Sequence, residues 1–305
     1  MKPITQENDR LGFVGIGYMG RPIARRLLES GFKLTAYDRN RAKAEELIPY
    51  GGNVAQSILE LSSSCNVVLS CLPSDEAVLD TYRGPDGVFA HAHRGSVVID
   101  MSTVYPETSQ ELSRRGAEGG VEVLDVTISG STPTAENGLL TLFGGGDKER
   151  FDSAESIFRV IAKQYFYLGP SGSGATMKLV VNTLLGIGMQ AIAEAVALGE
   201  KAGLDRNRLL EVLSQTAVVA PAHAGKLQRA KKSDYSPQFP IRLMNKDFGL
   251  IFDLANAVGA RMPAAGAAFE INARQSEEGP EQDFSAVILQ MEKRAHLGSN
   301  GNRRT

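Results

Sequence analysis

Short apolar runs alternate with helical patterns through the first 170 residues, and this alternation constrains the fold more than any other feature. Apolar runs at residues 11–14, 34–37, 67–71, 97–100, 121–125, 139–143 and 165–168 predict strands. Helical periodicity predicts helices at residues 19–30, 41–48, 57–63, 75–82, 107–117 and 148–162. Strand and helix in alternation are typical of a doubly wound parallel sheet with crossover helices, which is an α/β fold.

The pattern changes at the small-residue segment 169–174, and no strand is predicted beyond it. Helices are predicted at residues 175–202, 205–215, 221–231, 245–258, 263–275 and 284–295. We therefore expect an all-α C-terminal domain that begins with a long interdomain helix. The predicted organisation is a polar tail at 1–9, an α/β domain at 10–172, a helical domain at 173–297 and a disordered tail at 298–305.

A glycine-rich segment follows the first predicted strand directly. Gly15-Ile16-Gly17-Tyr18-Met19-Gly20 fits the pattern G-x-G-x-x-G and leads into the first predicted helix. Between a strand and a helix, such glycines allow a tight turn, close approach of a pyrophosphate, and close packing of the helix on the strand. The helix N-terminus then offers its N–H groups to the phosphates. The segment predicts a Rossmann-type dinucleotide-binding domain.

The residues after the second predicted strand bear on the choice of cofactor. Asp38 lies 18 residues after Gly20 (38 − 20), a spacing typical of the acid that binds the adenosine ribose. A carboxylate here favours NAD, because it would repel the 2′-phosphate of NADP. Arg39 and Arg41 follow, however, and either of them could bind that phosphate. We expect NAD to be favoured, with NADP as the alternative.

Composition excludes several classes of protein. The 33 basic and 35 acidic residues leave a formal net charge of -2, which predicts no nucleic-acid or membrane-surface partner.

Cys65 and Cys71 flank an extended run that holds them too far apart for a disulfide, which favours reduced thiols in a cytoplasmic protein. The apolar stretch 179–198 contains Asn182 and Glu194, so we interpret it as a buried helix and not as a membrane span.

Four segments in one order resemble the β-hydroxyacid dehydrogenase family. They are residues 12–20 (GFVGIGYMG), 125–131 (DVTISGS) with 138–141 (GLLT), 172–182 (GSGATMKLVVN) and 246–250 (KDFGL). These are similar to the family's G-x-x-G-x-M-G, D-A-P-V-S-G-G, G-x-G-x-x-x-K-L-x-N-N and K-D-L-x-L. The family includes 3-hydroxyisobutyrate dehydrogenases and reductases of tartronate, glyoxylate and succinic semialdehydes. The resemblance implies hydride transfer between a nicotinamide cofactor and a small β-hydroxy acid or its semialdehyde.

The resemblance implies that Lys178 is the catalytic residue. Lys178 and Asn182 are four residues apart on a predicted helix and so share one face. Lys178 would donate the proton to the carbonyl oxygen in reduction and take it back in oxidation, while Asn182 would position the substrate. The small-residue loop Ser129, Gly130 and Ser131 would hold the substrate carboxylate with its hydroxyls and backbone N–H groups.

The resemblance also implies roles for residues elsewhere in the chain. The cofactor side comprises the whole segment from Gly15 to Gly20, Asp38 and Arg39, together with Leu72, Pro73, Thr103 and Lys246. Phe239 and Asp247 are expected in the substrate pocket. The family likeness further implies a homodimer or a dimer-based tetramer.

Three departures from the family pattern leave the identity of the small carboxylate substrate open. Thr127 stands in place of a proline, Ser131 in place of a glycine and Val181 in place of an asparagine. An imine reductase shares this architecture, and a non-catalytic nucleotide-binding module is an alternative from another class. Imine reductases usually replace the motif lysine, and some members of the superfamily that serve as interaction domains have lost it, so Lys178 argues against both alternatives. No metal is expected, because His91 and His93 have no acidic or cysteine partner nearby.

Overall fold

The computed structural model describes residues 2–297, which divide into two compact units. The first ends at Lys178 and the second begins at Leu179. The strands of the first unit are β1 (Arg10–Val14), β2 (Lys33–Tyr37), β3 (Asn53–Val54), β4 (Val67–Ser70), β5 (Val97–Asp100), β6 (Glu122–Ser129), β7 (Leu140–Gly145) and β8 (Ala162–Gly169). Its helices are α1 (Gly20–Glu29), α2 (Arg41–Glu45), α3 (Ile58–Ser64), α4 (Asp75–Tyr82), α5 (Val88–His91), α6 (Pro106–Gly119), α7 (Thr132–Glu136), α8 (Lys148–Ser153) and α9 (Glu155–Ile161).

The eight strands form one sheet in the order β3-β2-β1-β4-β5-β6-β7-β8. The order reverses at β1, and every neighbouring pair except β6 and β7 is parallel, which confirms the predicted doubly wound α/β fold. The antiparallel β7 departs from the expected parallel sheet. Only the residues 130–139 separate β6 from β7, which is shorter than the dozen or so residues that a parallel crossover requires.

Both faces of the sheet are buried, which explains why its strands are continuous apolar runs. In β4, Val67 and Leu69 belong to one hydrophobic cluster, whereas Val68 belongs to the other. In β5, Ile99 likewise belongs to the first of these clusters and Val98 to the second. Alternate side chains of a strand point to opposite faces, so helices must cover both sides of the sheet.

Some elements differ from the sequence-based expectations. Two-residue β3 and four-residue α5 are too short to show a periodic pattern. The helix predicted at 148–162 is two helices, which meet at Ala154. The segment before β1 is packed against the first unit, since Ile4 is buried and its backbone N–H donates to the Ser153 carbonyl at 2.8 Å.

The second unit is helical, as predicted for the C-terminal part. Helix α10 (Ser173–Lys201) begins at the end of the first unit, and α11 (Arg206–Leu213), α12 (Pro221–Lys231), α13 (Ile241–Val258), α14 (Pro263–Glu278) and α15 (Val287–Arg294) follow. Their core includes Leu227, Met244 and Phe248. By length and composition α10 could cross a membrane, but 44% of its apolar window is buried, and core helices of soluble proteins pass the same test. Residues 298–305, predicted as a disordered tail, lie outside the described residues.

Candidate active site

The glycine loop between β1 and α1 has two tight positions and one open position. Gly15 has φ +93°, and a Cβ there would overlap the carbonyl oxygen of Cys71. A Cβ on Gly20 would overlap the carbonyl oxygen of Gly15. Apart from its two chain neighbours, no heavy atom lies within 4 Å of the place where a Cβ on Gly17 would be. This open space at the N-terminus of α1 fits a dinucleotide pyrophosphate, which approaches the backbone at the second glycine of such loops.

Asp38 directly follows β2 and holds the glycine loop. The backbone N–H of Ile16 donates to its Oδ2 at 2.8 Å, and the backbone N–H of Asn40 donates to its Oδ1 at 2.8 Å. The Arg41 guanidinium already donates hydrogen bonds to the side chains of Glu45 and Gln56. Arg39 is exposed and makes no hydrogen bond or ion pair within residues 2–297. Of the two arginines, Arg39 is therefore the one whose guanidinium is available to a ligand.

A buried polar network connects the carboxyl ends of β4 and β5. Tyr82 Oη donates to Ser70 Oγ at 2.6 Å, and Ser70 Oγ donates to Asp100 Oδ1 at 2.6 Å. Ser102 Oγ also donates to Asp100 Oδ1 at 2.6 Å and accepts the backbone N–H of Leu72 at 2.8 Å. Burial raises the pKa of Asp100 and, well above its usual value, the pKa of Tyr82. The network fixes the loops that follow both strands.

Sequence reasoning did not identify this network as part of the site. The available signal was a single polar residue that ends each apolar run, Ser70 in VVLS and Asp100 in VVID. Because β4 pairs with both β1 and β5, these loops lie beside the glycine loop at one edge of the sheet. The structure thus brings together the predicted cofactor residues Leu72, Pro73 and Thr103 with Asp38 and the segment from Gly15 to Gly20.

The predicted carboxylate loop lies at the end of β6. Ser129 and Ser131 are half-buried and Gly130 is exposed, with φ +146°. The backbone N–H of Ser131 donates to Thr134 Oγ1 at 2.6 Å within the first turn of α7. This N–H is therefore not available to a substrate, contrary to expectation, whereas the two hydroxyls remain candidates. Thr127 is buried, and its Oγ1 donates to the Gly174 carbonyl at 2.8 Å, so it does not line a pocket.

Lys178 lies in the second turn of α10 and is half-buried. Its place on a regular helix confirms that Asn182 follows one turn later on the same side. The helix starts against β6, where Asp125 and Thr127 bond to its first residues. A lysine held in this way presents its amine from a rigid element.

A polar cluster in the second unit comprises the buried Asn182 and Asp247 and the half-buried Lys246. Asn182 Nδ2 donates to Asp247 Oδ2 at 2.6 Å, and Lys246 Nζ lies 2.9 Å from Asp247 Oδ1. Asn182 and Asp247 are both buried. Asn182 Oδ1 is buried and accepts no hydrogen bond from any described residue. Asp247 thus orients the amide of Asn182, and the amide oxygen remains an acceptor without a donor.

Phe239 is half-buried in the second unit. Its ring contacts Phe284 edge-on with the centroids 5.7 Å apart. Its backbone N–H donates to Asp283 Oδ2 at 3.1 Å. Asp283 also forms a buried ion pair with Lys226 at 2.6 Å, and burial lowers the pKa of Lys226. Packing explains the position of Phe239 at least as well as a role in a pocket.

His91 and His93 each contact a backbone carbonyl through the imidazole ring. His91 Nε2 contacts the Pro85 carbonyl and His93 Nε2 the Ser63 carbonyl. Within residues 2–297, no group of three or more His, Cys, Asp or Glu side chains is arranged to hold a metal ion. Cys65 and Cys71 are both free thiols, which confirms the prediction that they form no disulfide.

Comparisons with known proteins extend these observations. Residues 10–169 match the family described as the NAD binding domain of 6-phosphogluconate dehydrogenase. Residues 172–291 match the family described as the NAD-binding of NADP-dependent 3-hydroxyisobutyrate dehydrogenase. The fold and the glycine loop thus define a nicotinamide-dependent dehydrogenase. Within that class, the chain belongs to the β-hydroxyacid dehydrogenase family, as the sequence motifs predicted.

Individual relatives span almost the whole chain. Glyoxylate/succinic semialdehyde reductase 1 of Arabidopsis thaliana is 36% identical over 279 residues, covering 91% of this chain and 96% of that protein. The 3-hydroxyisobutyrate dehydrogenase of Pseudomonas aeruginosa is 34% identical over 287 residues, with coverages of 91% and 96%. The solved structure of Mycobacterium tuberculosis 3-hydroxyisobutyrate dehydrogenase with L-serine has a TM-score of 0.81 and 29% identity, covering 93% of this chain and 99% of that one.

Imine reductases share the fold but are more distant. The imine reductase of Myxococcus stipitatus in complex with NADP+ has a TM-score of 0.64 and 16% identity, covering 92% of this chain and 99% of that one. Identity this low shows a common architecture and not a common reaction. The imine-reductase alternative therefore has less support than the hydroxyacid dehydrogenase.

Proposed function

We propose that this chain reduces the aldehyde of a small carboxylate with a nicotinamide cofactor and oxidises the corresponding β-hydroxy acid in reverse. The observation that carries the proposal is Lys178, half-buried in the second turn of α10, with Asn182 one turn later. The open position at Gly17 supports a bound dinucleotide in the same chain. A lysine amine supplies the proton that carbonyl reduction requires.

The proton step belongs to Lys178. NAD(P)H, when bound, supplies a hydride for the carbonyl carbon. The Lys178 ammonium gives a proton from Nζ to the carbonyl oxygen, and solvent then reprotonates the neutral amine. In oxidation the neutral amine removes the proton from the substrate hydroxyl. General acid–base catalysis of this kind raises the rate by a factor of roughly 10²–10⁴.

Further polar residues are assigned to the substrate and the cofactor. The hydroxyls of Ser129 and Ser131, with the backbone at Gly130, suit a carboxylate. Asn182 Oδ1 is a buried acceptor without a protein donor, which suits the substrate hydroxyl. Lys246 is assigned to the nicotinamide end of the cofactor. Asp247 is assigned to substrate binding through its bond to Asn182, and Phe239 to the pocket wall.

The cofactor is proposed to be NAD in preference to NADP. Asp38 stands where the adenosine ribose binds in this fold, and its carboxylate would repel a 2′-phosphate. Arg41 is already engaged by Glu45 and Gln56, which leaves Arg39 as the arginine that NADP would need.

We also propose self-association, as a homodimer or a dimer-based tetramer. Helix α10 carries exposed apolar side chains along one side, with Val180 49%, Leu184 71% and Leu198 72% exposed. A row of this kind is costly in water and is typical of an interface. The free thiols of Cys65 and Cys71 support a cytoplasmic location.

A spectrophotometric panel tests the proposed function. Purified protein is mixed with NADH or NADPH in separate assays, and absorbance is followed at the reduced-nicotinamide band. The substrates are glyoxylate, succinic semialdehyde, tartronate semialdehyde and methylmalonate semialdehyde, with the matching hydroxy acids in reverse. We expect turnover of at least one pair. A folded protein that binds either cofactor and turns over none of them would contradict the proposal.

A further inference from the structure

The first turn of α10 is attached to β6 by a carboxylate that the proposed reaction does not use. Asp125 Oδ1 accepts the backbone N–H of Gly172 at 2.9 Å, and its Oδ2 accepts the backbone N–H of Ala175 at 3.0 Å. Asp125 is buried. Two of the N–H groups that a helix leaves unpaired at its N-terminus are thus satisfied by one side chain.

Thr127 provides a second attachment from the same strand. Its Oγ1 donates to the Gly174 carbonyl at 2.8 Å. In helical register, the carbonyl of residue 174 is also the acceptor for the backbone N–H of Lys178. Asp125 and Thr127 together therefore fix both the axial position and the rotation of the turn that projects the Lys178 side chain.

The helix start has no room to slide along the sheet. A Cβ on Gly174 would overlap the carbonyl oxygens of both Asp125 and Phe143. On the other side, a Cβ on Gly145 would lie 2.7 Å from Asp125 Oδ1. The carboxylate thus lies between two glycines, and neither position has room for a side chain beside it.

The ionised carboxylate is costly at this position. Burial raises the pKa of Asp125 to about 6, although backbone N–H groups of Gly172 and Ala175 oppose the shift. The ionised form can accept both N–H bonds, whereas an asparagine offers one acceptor oxygen. Asp125 can therefore hold both N–H groups at once, which an asparagine cannot do.

We propose that Asp125 is a positioning residue for proton transfer at Lys178, with Thr127 as the second anchor. Asp125 touches neither substrate nor cofactor and acts through the backbone of α10. The inference rests on the proposed function, because it requires Lys178 to be the proton donor. Displacement of a reacting group by about 1 Å is enough to cost on the order of 10²-fold in rate.

A double-mutant cycle in the full-length protein tests the inference. The variants are Asp125→Asn, Lys178→Ala and the double variant, assayed for kcat, substrate KM and cofactor Kd. We expect Asp125→Asn to lower kcat by about 10- to 100-fold, with KM and cofactor Kd changed by less than about threefold. In the Lys178→Ala background the same change should lower kcat by less than about twofold, because the group that it positions is gone.

Hydrogen exchange provides a readout besides activity. Asp125→Asn should accelerate exchange of the backbone amides of Gly172 and Ala175, because one of them loses its acceptor. If the Asn variant does not fold, Thr127→Val removes the second anchor and should lower kcat in the same way, whereas Thr127→Ser retains the hydroxyl and should restore it.

Asp147→Asn is the matched control, because Asp147 caps α8 in the same unit through the backbone N–H of Arg150 at 2.8 Å. It should leave kcat unchanged. An equal loss of kcat from Asp125→Asn with and without Lys178, or an equal loss in Asp147→Asn, would overturn the positioning role. If instead Lys178→Ala keeps wild-type turnover, the proposed function itself fails, and the role of Asp125 fails with it.

Discussion

At the residue scale, two acids of the first unit have both carboxylate oxygens bonded to backbone N–H groups. Asp38 bonds to Ile16 and Asn40, and Asp125 bonds to Gly172 and Ala175. Asp38 holds the glycine loop, and Asp125 holds the segment that leads to Lys178. Their difference is burial, since Asp38 is half-buried while Asp125 is buried. Burial makes the charge of Asp125 costly.

Asp125 gives the fold a pH dependence of known sign. Its pKa is raised from 3.8 to about 6, which means that the folded protein favours the protonated carboxyl. The stability that this preference contributes is fully present below pH 3.8 and is lost as the pH rises through 6. At 1.36 kcal/mol per pKa unit, the loss is about 3 kcal/mol. We expect the unfolding free energy of wild type to fall relative to Asp125→Asn by about this amount between pH 4 and pH 7.5. Urea unfolding at a series of pH values measures it, and a pH-independent difference would contradict it.

Asp38 and Arg39 make the cofactor preference testable. Asp38→Asn removes the charge that opposes a 2′-phosphate, so the ratio of kcat/KM with NADH to kcat/KM with NADPH should fall by about tenfold. Arg39→Ala should lower kcat/KM with NADPH, whereas kcat/KM with NADH should change by less than about twofold. Steady-state kinetics with both cofactors measures these ratios. A wild-type enzyme that prefers NADPH would refute the preference for NAD.

At the element scale, the strand–loop–helix unit β1–α1 shows what sequence can predict. The strand, the glycine segment and Asp38 are local in sequence, and their order follows from backbone requirements. The network of Ser70, Tyr82 and Asp100 could not be predicted in the same way. Its members are 12 to 30 residues apart and meet only through strand pairing. The short helix α7 and the antiparallel β7 likewise depend on a turn whose residues have no periodic pattern.

Alanine substitutions at Gly17 and Gly20 of the glycine loop should have different effects, the first on cofactor binding and the second on stability. Gly17→Ala places a methyl group in open space, so the unfolding free energy should change by less than about 0.5 kcal/mol. The same methyl group occupies the approach to the pyrophosphate, so the cofactor Kd should rise by about tenfold or more. Gly20→Ala should instead cost about 1–3 kcal/mol of stability, because its Cβ overlaps the Gly15 carbonyl.

Chemical denaturation and cofactor titration separate these two effects. If Gly17→Ala and Gly20→Ala destabilised the protein equally, the open space at Gly17 would not be a ligand site. If Gly17→Ala left cofactor binding unchanged, the pyrophosphate would lie elsewhere.

At the scale of the whole molecule, each unit has its own hydrophobic core. The division into a sheet unit and a helical unit was predicted from the change of pattern near residues 169–174. The hydrogen bond between Asn182 and Asp247 was not predicted, because these residues are 65 positions apart and belong to different helices. The motif identified both residues as candidates, and the structure adds that Asp247 orients Asn182.

The exposed apolar side of α10 predicts self-association of the whole molecule. Leu184→Glu places a charge in the middle of this side and should shift the protein to a smaller species in analytical ultracentrifugation. Val218→Glu is the matched control, because Val218 is 89% exposed but lies outside α10, and it should leave the sedimentation coefficient unchanged. A wild-type protein that sediments as a monomer at all concentrations would refute the interface.

In the proposed mechanism, the Lys178 amine transfers the proton. Lys178→Ala should lower kcat by about 10² or more for the substrate that wild type turns over, while the cofactor Kd stays within about twofold. Lys201→Ala, at the exposed far end of the same helix, should leave both values unchanged. Near-normal turnover in Lys178→Ala, measured by the same absorbance assay, would contradict the mechanism.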